Sequence, residues 1–133
     1  MIRDSVGSIN AAGKVNVIYG NGAGLAAAGN QLWHQDVGGI RDTAESGDFF
    51  GSSLSAGDYN SNSVNGQDDL AVGLPSENVG LVADAGAVNV INGSNPAGLT
   101  AAGNQLWHQD VGTILNTAED TDNFGGSLLG SPF

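Results

Sequence analysis

The chain has 133 residues, with 14 acidic and 3 basic side chains, a formal charge of −11 and no cysteine. That field repels phosphate backbones and anionic lipid and attracts divalent cations, which argues against nucleic-acid partners and direct membrane binding. Without cysteine there is no disulfide, thiolate metal site or cysteine nucleophile.

The elements follow in chain order from one internal repeat. Gly29-Asn30-Gln31-Leu32-Trp33-His34-Gln35-Asp36-Val37-Gly38 recurs unchanged at Gly103 to Gly112, a shift of 103 − 29 = 74. Val15-Asn16-Val17-Ile18 returns as Val88-Asn89-Val90-Ile91, a shift of 73, and one extra residue near Asn95-Pro96 accounts for the difference. Repeats of this kind stack as modules that cannot bury their apolar faces alone. Ile2 aligns with Pro75, so residues 1–47 read as the third and fourth strands of a partial unit.

Residues 48–121 hold the complete unit. Phe50 to Gly57 is small and lightly apolar, and reads as a first strand whose glycines allow close backbone approach. A polar loop runs from Asp58 to Asp69. Leu70-Ala71-Val72-Gly73-Leu74, stopped by Pro75, reads as a buried second strand. Gly86 to Ile91 alternates as a third strand, closed by the turn residues Asn92-Gly93-Ser94-Asn95-Pro96. The two glycines of Gly98-Leu99-Thr100-Ala101-Ala102-Gly103 argue for a loop, and Gln105 to Gln109 for the fourth strand. An acidic linker, Asn116 to Asp122, leads into residues 122–133, read as the first strand of a further unit. Four short strands per period, with no helical caps or 3.6-residue periodicity, predict an all-β fold of propeller blades, and fewer than two blades leave the propeller incomplete.

The 58–69 loop has its own logic. Asp58, Asn60 and Asn62 place side-chain oxygens at alternate positions, the carbonyl of Val64 adds a backbone oxygen, and Asp69 closes the set from the base of the next strand. Oxygen-only ligation at this spacing suits Ca²⁺. The spacing echoes the twelve-residue EF-hand loop, but Ser63 stands where that loop needs glycine, and strands flank it. The bland alternative is an Asn/Ser-rich turn held by side-chain to backbone hydrogen bonds.

Phe50-Gly51, Gly57-Asp58-Tyr59-Asn60, Asp69 to Pro75 and Ala85-Gly86-Ala87-Val88, in that order, resemble an FG-GAP repeat, the blade of integrin-α-like β-propellers. The chain departs from that pattern at Leu74, commonly Ala there, and in the longer 58–69 loop. The resemblance implies Ca²⁺ in that loop between the first two strands, and an extracellular or cell-surface protein of recognition and adhesion. Few formal charges in the ligand set imply modest affinity, about 10⁻⁴ to 10⁻³ M.

Other candidates have plainer explanations. Trp33-His34-Gln35-Asp36 and its copy pair His with Asp, but neighbours on a strand face opposite ways and no third group is fixed, so a blade-shaping role is expected and no catalytic residue is assigned. The acidic linkers, Asp42 to Asp48 and Asn116 to Asp122, read as solvated loops with Asx turns in preference to a second cation site. Asp68-Asp69 as paired glycosidase carboxylates has no further support in the chain. The expected function is non-enzymatic: a calcium-binding propeller segment whose unpaired edges join other copies head to tail, with a protein or glycan as ligand. The alternatives are a purely structural ring or filament subunit, and a hydrolase built on a propeller.

Overall fold

A computed structural model gives the fold and describes residues 4–61 and 67–130. Among these residues there are six strands and no helix: β1 (Val15–Asn21), β2 (Gly24–Trp33), β3 (Ser53–Gly57), β4 (Asp69–Leu74), β5 (Ala87–Ser94) and β6 (Gly98–Trp107). β1 and β2 form a two-stranded sheet, and β3-β4-β5-β6 a four-stranded meander, with every neighbouring pair antiparallel. The fold is all-β, and the meander has the form of a propeller blade.

The fourth strand differs from expectation. It starts at Gly98, and residues 98–103 belong to it; Trp107 ends it. Gly98 and Gly103 take φ of 82° and 71°, and the β5–β6 register slips between Val90 and Asn92. Gly103 lies in the resulting bulge, where residues 101–104 of β6 stand opposite Ile91, and Gly98 pairs with Ser94 at the hairpin tip. β2 does the same with Gly24 and Gly29 at 123° and 77°. The inserted residue also finds its place. The β1–β2 turn has two residues between Asn21 and Gly24, and the β5–β6 turn has three between Ser94 and Gly98. The first strand of the unit is shorter than read, beginning at Ser53.

Period-two alternation sorts the meander into two faces. Leu70, Val72 and Leu74 of β4 and Ile91 of β5 point to one side, where they form the core with Val15 and Trp33 from the first sheet and with Ile40, Phe50 and Leu99. Val88, Val90, Gln105 and Trp107 point to the other side, over a hollow that Ala71 and Leu128 also line. The core is therefore the junction between the two repeats. Equivalent residues record it: Ile91 is 0% exposed and Ile18 51%, Leu99 7% and Leu25 79%, Trp33 6% and Trp107 39%.

The Phe-Gly and Gly-Ala-Val motifs meet in the backbone. Phe50 N donates to Ala12 O and Phe124 N to Ala85 O, both at 2.8 Å. A Cβ on Gly13 would overlap the Phe50 backbone, and one on Gly86 the Phe124 backbone. Only glycine lets the two segments lie this close. Of residues 122–133, those to Gly130 are described, and they carry an isolated parallel bridge, Gly86 to Phe124, without a named strand. That segment runs against the meander, where Ser53 Oγ donates to Gly125 O at 2.6 Å. Residues 131–133 lie outside the described residues.

Candidate functional site

The expected calcium loop begins at the end of β3 and ends at the start of β4. Asp69 is 1% exposed at its base. Its Oδ2 accepts Tyr59 N at 2.9 Å, and its Oδ1 accepts Gly93 N at 2.8 Å and Asn60 Nδ2 at 3.2 Å. One buried carboxylate thus ties the loop to β5 through three N–H donors. Asn60 Nδ2 also reaches Asn92 Oδ1 at 3.2 Å. Asp58 and Asn60 are exposed. The fold therefore brings Asn60 and Asp69 together, with the Asn60 amide nitrogen facing the carboxylate and both Asp69 oxygens accepting N–H groups. Asn62 and Val64 lie outside the described residues.

A second acidic group stands at the junction of the repeats, and sequence reasoning did not assemble it. Among the described residues it is the one place where three carboxylates converge: Glu45, Asp48 and Glu77 each offer an oxygen within 4.8 Å of the others. Glu45 and Asp48 come from the linker before β3, and Glu77 from the loop after β4. Asp48 and Glu77 are buried, at 1% and 2% exposed, and Glu45 is exposed. Burial pushes the Glu77 carboxyl up to about 8, with Asp48, Asp42 and Glu45 adding like-charge repulsion and a hydrogen bond from Gln35 opposing it. Burial raises Asp48 to about 6, against a backbone hydrogen bond from Glu45. That bond, Glu45 N to Asp48 Oδ2, is 2.5 Å, and its counterpart in the second repeat, Glu119 N to Asp122 Oδ2, is 2.9 Å.

Gln35 completes the group. It is 2% exposed and donates from Nε2 to Glu77 Oε2 at 2.6 Å. The signal available in the sequence was faint: a glutamine inside the repeated decapeptide, and an acid three residues past Leu74, with Asp4 at the matching place (77 − 73 = 4).

The remaining candidates play local roles. Asp36 Oδ1 accepts Ala44 N at 2.9 Å and Asp110 Oδ1 accepts Ala118 N at 2.8 Å, so each fastens its linker to the end of the fourth strand. The first linker also supplies two members of the acidic group. Asp68 is exposed while Asp69 is engaged by backbone N–H groups.

No family model matches the chain. Among the described residues, no helix is long and apolar enough to cross a membrane. The chain is 33% identical over 127 residues to phosphatidylinositol-glycan-specific phospholipase D of Homo sapiens, 33% to that of Bos taurus and 35% to that of Rattus norvegicus. The match covers 91% of this chain and 15% of each of those relatives. Nearly the whole chain is thus similar to a small part of an enzyme.

Proposed function

We propose that the chain is a segment of an FG-GAP-type β-propeller that binds Ca²⁺ as a structural ion in the 58–69 loop and serves extracellular recognition and adhesion. Asp58, Asn60, Asn62, Val64 and Asp69 are the ligand set of this reading. Its role is non-enzymatic, and its loops present a surface to a protein or glycan. Copies join head to tail through the outer sheet faces and edges. The observation that carries this reading is the contrast between equivalent residues: Ile91, Leu99 and Trp33 are buried where the repeats meet, while Ile18, Leu25 and Trp107 present the same surfaces outward. A further blade of the same kind is the shape those faces fit.

Sedimentation at micromolar concentration, with and without Ca²⁺, tests the joining; a lone 13 kDa species in both conditions refutes it. Electron microscopy of larger species separates a ring from a filament. Ca²⁺ should raise the melting temperature, and Asp58→Ala should remove that increment; identical melting curves in calcium and chelator refute the loop site.

A second reading rests on the relatives, which are named as phospholipases. In it, the chain belongs to a larger hydrolase and contributes to its reaction. Turnover of a phosphatidylinositol-glycan substrate by this chain supports that reading, and none beyond the buffer rate counts against it.

A further inference from the structure

We infer that the junction between the two repeats is a second cation site, separate from the 58–69 loop, in which Glu45, Asp48, Glu77 and the amide oxygen of Gln35 bind a hard divalent ion of the Ca²⁺ class. Geometry comes first. The three carboxylates each place an oxygen within 4.8 Å of the other two. Two oxygens ligated to one Ca²⁺ at about 2.4 Å can stand no farther apart than about 4.8 Å, so the spacing is the one a shared ion requires.

Gln35 is the independent pointer. Its Nε2 donates to Glu77 Oε2 at 2.6 Å, which sets the whole amide against the acidic group. The Oε1 on that same amide carbon is buried and has no hydrogen-bond partner. An amide oxygen left without a donor, beside carboxylates, is in an unfavourable place unless a cation stands there. Amide and carboxylate oxygens together are a Ca²⁺ ligand set. The charges acting on Glu77 are all acidic, namely Asp48, Asp42 and Glu45, so the group lacks an internal counter-charge. Exposed Glu45 gives the ion a way in from solvent, and buried Asp48 and Glu77 hold it.

The site spans the repeat boundary. Gln35 and Glu45 belong to the first repeat and Asp48 and Glu77 to the second, so a bound ion clamps one to the next. Gln109, Glu119 and Asp122 stand at the equivalent positions one repeat on, and Gln109 Oε1 is likewise buried without a partner. In the head-to-tail reading above, Asp4 of a second copy supplies the missing carboxylate. That last step rests on the proposed assembly; the internal site does not.

Calorimetric titration of the full chain with Ca²⁺ at pH 8 tests it in a background where the loop site has been removed. Asp58→Ala should bind one Ca²⁺ per chain, and Asp58→Ala with Glu77→Gln none. Adding Glu45→Gln, at an exposed position, to Asp58→Ala should weaken binding at least about tenfold, because affinity follows ligand charge. Circular dichroism checks that each variant is folded. An Asp58→Ala protein that binds no Ca²⁺ overturns the inference, as does a double variant that still binds one. Glu77→Gln alone reports on the loop: one ion retained supports the loop reading, and none counts against that reading, the junction inference being decided by the Asp58→Ala titration.

Discussion

Ile18 and Ile91 occupy the same position of the repeat, one exposed at 51% and one buried at 0%. Truncating each to alanine makes an internally controlled test of the stacking. Ile91 lies among Val72, Leu74 and Leu99 in the core cluster. Its truncation removes three carbons, worth about 2.4 kcal/mol at about 0.8 kcal/mol per buried CH₂ group. The cavity adds to that, since a core between two sheets collapses poorly, so Ile91→Ala should cost about 3–4 kcal/mol. Ile18→Ala should cost no more than about 0.5 kcal/mol in dilute monomer. Urea unfolding followed by tryptophan emission measures both, with an unchanged slope required for the comparison to hold. A cost below about 1 kcal/mol for Ile91→Ala, equal to that of Ile18→Ala, would refute the packing of the two repeats through this face. A large cost for Ile18→Ala that grows with protein concentration would instead show a partner seated on β1 and β2.

Four further outcomes follow from particular contacts. Gly86→Ala, with φ of 85° and the Phe124 backbone against its Cβ, should destabilise the chain by well over the ~1 kcal/mol of Gly80→Ala, whose φ is 63° but whose surroundings are open; melting temperatures compare them. Asp69→Ala should cost about 2–4 kcal/mol in chelator, because it strands Tyr59 N and Gly93 N, and hydrogen exchange should show both amides deprotected. Glu77 has a folded pKa of about 8 against an ordinary 4.5, so the folded state keeps a proton that the unfolded chain has released. In chelator its contribution is full below pH 4.5 and is lost as pH rises through 8; between pH 4.5 and 7 the loss amounts to about 3 kcal/mol, and Glu77→Gln should flatten that slope in a pH series of urea titrations. Trp33 is 6% and Trp107 39% exposed, so Trp107→Phe should leave a blue-shifted emission that acrylamide quenches weakly, and Trp33→Phe the reverse.

Much of the architecture was legible because it rests on local signals. Leu70 to Leu74 is an apolar run stopped by a proline, Gly86 to Ile91 alternates into a turn, and the repeat supplies the order of strands. β6 was harder. Its Gly98 and Gly103 look like loop residues until the pairing with Ser94 and the bulge opposite Ile91 give them a place. Residues 122–133 read as a strand by analogy with Phe50 to Gly57, but a strand needs a neighbour along its length, and among the described residues Phe124 pairs only through one bridge. The contact of Asn60 with Asp69 lies within one segment and so was open to a reading of spacing. The group of Gln35, Glu45, Asp48 and Glu77 was not, because Gln35 and Glu77 are 42 residues apart and meet only when the repeats stack.

The two hairpin tips differ by one residue, while the strands on either side keep the same partners. The rim of this molecule therefore tolerates changes of length that its interior does not. The exposed Gly22-Ala23 tip is a natural place to splice in foreign peptide without disturbing how the sheets lie on each other.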